Sequence, residues 1–144
     1  MNEEQLFNMV NNGVILAKEQ LAHHQRVHPF ALTLNNLNEV VTLEAPTTLE
    51  DTYIWLMDQL KVEVTKNSTI DAIAIFAAVS IPAHYKPQKE NGIRVHLEER
   101  SKRDNKIGGR FLYVPYELTK GVESDAVEVH LYDPIPVAFV PEIF

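Results

Sequence analysis

Cysteine is absent from the sequence, which excludes a disulfide framework, a thiolate nucleophile and any cysteine-ligated metal. The same absence fits a reducing compartment. Glycine is scarce, at five in 144 residues. None of the five is arranged as GxGxxG or as a Walker loop, so the nucleotide-binding motifs fail. A nucleophile elbow and a metalloprotease histidine pair are missing too. Long apolar runs are also lacking: the longest, Ala72 to Val79, is eight residues, where a membrane span needs roughly 20. The opening "MNEEQ" is acidic, whereas a signal peptide begins basic and continues into an apolar stretch. A cytoplasmic protein with no membrane partner is the expectation. Asn67-Ser68-Thr69 spells a glycosylation sequon, which without export is a chance match.

Positive charge is in short supply. Thirteen Lys and Arg face twenty Asp and Glu, for a net charge of −7. Nucleic-acid affinity rests on concentrated cationic charge, so no nucleic-acid partner is expected. The deficit is uneven, however. Residues 84 to 110 hold eight basic against four acidic residues, a local +4 that leaves −11 for the rest. Lys102, Arg103, Lys106 and Arg110 concentrate in one turn. Such a turn reads as a solvated hairpin tip whose charges discourage edge pairing. The alternative is an anion-binding tip that guides an acidic partner.

What is present is the composition of an ordinary soluble domain, 45% hydrophobic and 23% charged. The length suits a single domain over residues 1–144. Asn2-Glu3-Glu4-Gln5 reads as a capping box. Phe7, Val10, Val14, Ala17 and Leu21 then recur at helical spacing, up to a stop before His28 that Pro29 imposes. Gly13 is a small penalty inside this helix. "FALTL" and "EVVTLE", joined by "NNLN", predict an antiparallel hairpin. Thr47 or Thr48 can cap a second helix starting near Leu49, with Tyr53, Met57, Leu60 and Val64 as its stripe and Ile54 alongside. In "IDAIAIFAAVSIPA" both faces are apolar, as in a strand covered on both sides, and the alanine-rich face admits a close helix. The strands "IRVHLEER", "RFLYVPYEL" and "VEVHLYD" follow, and the proline-rich "PIPVAFVPEIF" suits an edge or an arm. The expected fold is α+β, in the order α-β-β-α-β-β-β-β. It has a largely antiparallel sheet of about five to seven strands with its two helices on one face.

Three groups of residues could carry function. In "HHQRVH", His24 and His28 are four apart, and Glu19 lies four before His23. That is a metal-ligand spacing on one helix face, but Pro29 ends the helix and histidines at a helix end serve its last carbonyls. No metal or other cofactor is expected. The second group is the polar side of "GIRVHLEER", with Arg94, His96, Glu98 and Arg100, and the matching side of "VEVHLYD", with Glu128, His130 and Tyr132. A one-sided sheet leaves such a face wet. The alternative brings His96, Glu98 and His130 together, where a histidine held by a carboxylate acts as general base. The third group is apolar: Pro115 and Tyr116, with Val137, Phe139, Ile143 and Phe144. These either close over the protein's own core, the favoured reading, or meet a second copy or another protein.

Some of the same residues carry a resemblance. Pro29-Phe30-Ala31 after an amphipathic helix, Val95-x-Leu97-Glu98-x-Arg100 in a strand and Pro115-Tyr116 ending the next are similar to a set of small uncharacterised bacterial proteins. The likeness covers about residues 28 to 144, and the turn from Ser101 to Arg110 is longer than in that pattern. It implies one α+β domain and supplies no catalytic residue. The reading that follows is a non-enzymatic protein acting by protein–protein interaction or as a homodimer. The alternative is a small-ligand-binding or hydrolytic domain using His96, Glu98 and His130.

Overall fold

The computed structural model describes residues 3–46, 50–120 and 127–144. Helix α1 spans Glu3–His24 and helix α2 Thr52–Lys66. The strands are β1 Phe30–Asn35, β2 Val40–Glu44, β3 Ile70–Ser80, β4 Asn91–Glu99, β5 Gly109–Lys120, β6 Val127–Leu131 and β7 Ile135–Phe139. They form one seven-stranded sheet in the order β2-β1-β3-β4-β5-β6, with β7 also on β5. Every pairing is antiparallel. The α+β class, the antiparallel sheet and the element order are those expected from the pattern. No helix among the described residues is long and apolar enough to cross a membrane.

The helices do not share a face. Phe30, Leu32, Leu34, Ala72, Ala74 and Phe76 pack under α1, while Ala31, Ile73 and Ile75 pack under α2. The expectation of both helices on one side is therefore corrected, and β3 supplies the reason. Its alternate residues are apolar on both sides, so each side removes a separate hydrophobic layer from water. Helix α1 buries Leu6, Met9, Val10, Gly13, Ala17 and Leu21, leaving Phe7 exposed. Adjacent apolar residues are about 100° apart around a helix, and the phase that buries Leu6 turns Phe7 outward. Helix α2 buries Leu56, Leu60 and Val64, holds Tyr53 and Met57 half-buried and exposes Ile54. It starts at Thr52, and Asp51 makes no side-chain cap bond. The capping residues expected at Asn2, Thr47 and Thr48 lie outside the described residues, and α2 begins three residues after the expected Leu49, since Glu50 and Asp51 are not helical.

The far side of the sheet explains the proline-rich end. Along its outer edge β5 pairs with β7 over Gly109–Tyr113 and with β6 over Tyr116–Lys120. β6 and β7 are thus one return path, broken opposite Pro115. At the break the Tyr132 N–H bonds the Pro115 carbonyl at 2.9 Å. A proline has no N–H to offer a ladder, and Pro115 stands where the outer pairing changes strand.

Gly13 lies where α1 crosses β3. A Cβ placed there would meet the Phe76 ring at 2.0 Å. That ring is fully buried and stacks on Phe30 at 5.0 Å. Helix propensity favours alanine over glycine by about 1 kcal/mol, but overpacking a filled core costs about 1–3 kcal/mol. Gly13→Ala is expected to lower stability by about 1–2 kcal/mol. Urea unfolding checks this, and an equal or higher midpoint refutes the close packing.

Candidate functional site

β4 lies between β3 and β5 in the sheet. Ile93, Val95 and Leu97 point into the α1 core, as their alternation requires. The polar side was expected to be wet, and it is not: His96 is 1% exposed and Glu98 0%. Tyr53 at the start of α2, Phe139 of β7 and the segment 142–144 lie over it.

The buried polar atoms are joined in one chain. The Tyr53 hydroxyl is 2.5 Å from His96 Nδ1, and His96 Nε2 is 2.6 Å from Glu98 Oε2. Glu98 Oε1 accepts the backbone N–H groups of Glu142 at 3.1 Å, Ile143 at 2.9 Å and Phe144 at 3.4 Å. With Glu98 ionised, one proton arrangement satisfies all of these bonds: Nε2–H donates to Glu98, and Tyr53 O–H donates to Nδ1. The imidazole is flanked edge-on by Phe111 at 5.3 Å and Phe139 at 4.8 Å. Burial pushes the Glu98 carboxyl upward, but the bonds from His96, Ile143 and Glu142 outweigh it and hold it below its ordinary value.

A carboxylate–imidazole–hydroxyl chain has the connectivity of an acid–base relay. Here its terminal hydroxyl is held back. Burial raises the Tyr53 phenol to about 12, although the neighbouring Arg94 guanidinium works the other way. The chain ties α2, β4 and the 142–144 segment to one another.

The rest of "VHLEER" is equally occupied. Arg100 donates to the carbonyls of Ile70, Val64 and Asn67 at 2.8, 2.9 and 3.1 Å, closing the end of α2. Its guanidinium also covers the Phe144 ring. Glu99 takes Arg110 at 2.9 Å and Lys102 at 3.1 Å. Of the proposed anion-binding residues, then, two share one internal carboxylate. Arg103 stands 4.0 Å from Asp104, and Lys106 is exposed.

His130 does not join His96 and Glu98. It is exposed on β6 opposite Glu117, whereas His96 is opposite Phe111. Those six residues of β5 correspond to roughly 20 Å. His130 instead lies edge-on to Tyr132 at 4.6 Å.

The apolar group folds inward. Ile143 is buried in the α2 core, with Phe144 half-buried against it. Phe139 stacks on Phe111 at 4.3 Å, Val137 is half-buried, Pro115 is buried and Tyr116 packs on the α1 core.

In "HHQRVH", His23 and His24 are exposed at the end of α1, and His28 bonds the Ala45 carbonyl at 3.0 Å. Among the described residues no three His, Asp or Glu side chains are grouped to hold a metal ion.

Sequence reasoning missed Tyr53, which it assigned to a core stripe, and the aromatic setting of Arg94. No family model, curated protein or solved structure matches the chain.

Two outcomes follow for the buried chain. Glu98→Gln removes the acceptor charge and is expected to cost about 3 kcal/mol. Tyr53→Phe leaves Nδ1 without its donor and is expected to cost about 1–2 kcal/mol. The pH dependence has a defined sign. The folded carboxyl stays ionised below the value of about 4.3 at which an unfolded chain's glutamate takes up a proton. Its contribution is therefore complete above that value and is lost as pH falls through the lower folded one. Urea midpoints measured from pH 7 to 3 should fall less steeply in Glu98→Gln, and parallel acid limbs would contradict the assignment.

Proposed function

We propose that the protein acts in the cytoplasm, without catalysis, by binding an extended segment of another polypeptide along the free edge of β2. The supporting observation is the difference between the two edges of the sheet. The β6–β7 edge is broken opposite Pro115 and carries Pro134 and Pro136 along its path. Such devices blunt an edge against further pairing. β2 has none of them. It contains no proline, lysine or arginine, and β1 is its one described neighbour in the sheet.

Val40, Val41 and Thr42 of β2 are exposed, and Leu37 at the hairpin tip is 71% exposed. Beside the edge runs a groove of about 300 Å³ lined by Leu16, Glu19, Phe30, Thr42 and Glu44 among others. Glu39 precedes the strand, and Glu63 borders a hollow on its other face. An apolar strand rimmed by carboxylates suits an added strand with alternating apolar and basic residues. Two copies of β2 would instead bring these carboxylates together, so a different partner is the better fit. The hydrolytic alternative has His130 about 20 Å from two sealed groups.

The test pairs partner capture with hydrogen exchange. The wild type should hold a partner that slows exchange of β2 amides, and Val41→Lys should release it while leaving the melting temperature nearly unchanged. A complex without β2 protection, or no complex at all, overturns the reading. A homo-oligomer in light scattering that Val41→Lys dissolves replaces the partner with a second copy.

A further inference from the structure

We infer that Arg94 is a recognition site for a carboxylate side chain of an apolar or aromatic polypeptide segment, on a surface separate from β2. Arg94 projects from β4 on the α2 side of the sheet, in register with Ala77 of β3 and Tyr113 of β5. Its guanidinium is clamped between two rings, 4.7 Å from the Tyr53 centroid and 4.9 Å from that of Phe111. Among the described residues no carboxylate lies within ion-pair distance of it. Its Nε is buried without a hydrogen-bond acceptor.

A partly desolvated cation without a counter-ion is costly, and ring faces offset only part of that cost. The nearby acids are committed or exposed: Glu98 to His96 and the 142–144 amides, Glu142 to solvent. The neighbours hold the fork rigid. Tyr53 is anchored by His96, and Phe111 is stacked by Phe139. A fixed planar guanidinium matches a planar carboxylate through two parallel N–H···O bonds. A lone cation balances one negative charge, which favours a carboxylate over a phosphate. Tyr53 and Phe111 beside it are half-buried, Val137 and Ile135 follow on the far side of β5, and Tyr85 packs on Tyr113 at 5.6 Å. Arginine among aromatic residues is the composition of protein-binding hot spots. The β2 reading does not enter this argument, and either can fail alone.

The experiment follows the Arg94 Nε–H resonance, identified by its absence in Arg94→Lys. The probes are acetyl-Phe-Glu-Phe-amide, the same peptide with glutamine, and inorganic phosphate. The glutamate peptide should give a saturable shift with a Kd on the order of 1 mM, and the glutamine peptide should bind at least about tenfold more weakly. Arg94→Gln should lose binding, as monitored by the Tyr53 ring resonances, and Arg94→Lys should weaken it. No saturable shift, equal titration by the glutamine peptide, a shift with phosphate alone or retained binding in Arg94→Gln each overturns the proposal. The three probe titrations of the wild type decide the proposal by themselves, so a poorly folding variant does not obscure it.

Discussion

Glu98 carries its charge at a position with no solvent, and the rest of the structure is arranged around keeping that charge satisfied. Four N–H donors converge on it: the His96 ring and the amides of Glu142, Ile143 and Phe144. Those amides lie more than forty residues along the chain from Glu98. Ionisation of Glu98 and closure of the terminal segment are therefore coupled, each favouring the other. If the segment lifted, a buried carboxylate would lose most of its donors, which is among the larger single penalties available to a protein. Through His96 the same charge fixes Tyr53 and with it the start of α2. Polar atoms thus bind together three pieces whose apolar surfaces alone would leave their alignment loose.

That closure redistributes what is left for function. Phe139, Ile143 and Phe144, which on composition alone are partner-binding material, are spent on the protein's own interior. The basic turn is partly neutralised by Glu99. Among the described features that the fold does not consume are the unblunted β2 edge and the Arg94 fork between its rings. They lie on either side of α2, because β2 is at one end of the sheet and β4 is three strands away.

Much of the architecture is legible in residue order. The β1–β2 hairpin, the stop of α1 before Pro29 and the double cover of β3 follow from turn chemistry, proline sterics and two apolar faces. The alanines of β3 announce a close helix, and Ala72 and Ala74 lie beneath α1. Gly13, read as a helix penalty, is instead the point of closest approach to Phe76. Of the α1 stripe, Val10, Ala17 and Leu21 are buried and Val14 packs on the core, while Phe7 is turned out; Leu6 and Phe7 are both apolar, and only the facing strand chooses between them. The faces of the two helices were not legible, since an amphipathic stripe records that something is covered and not which layer covers it.

The sequence by itself determined the elements, their order and which side of β4 is apolar, because period and turn residues are local properties of the chain. Only the tertiary structure decided that the other side of β4, where His96 and Glu98 stand, is enclosed. Alternation separates two faces but does not say which of them meets water. Whether a carboxylate can be buried depends on donors that arrive from elsewhere, here amides at 142–144 and an imidazole held by a tyrosine of α2. That convergence is a property of the folded chain, and no local pattern encodes it.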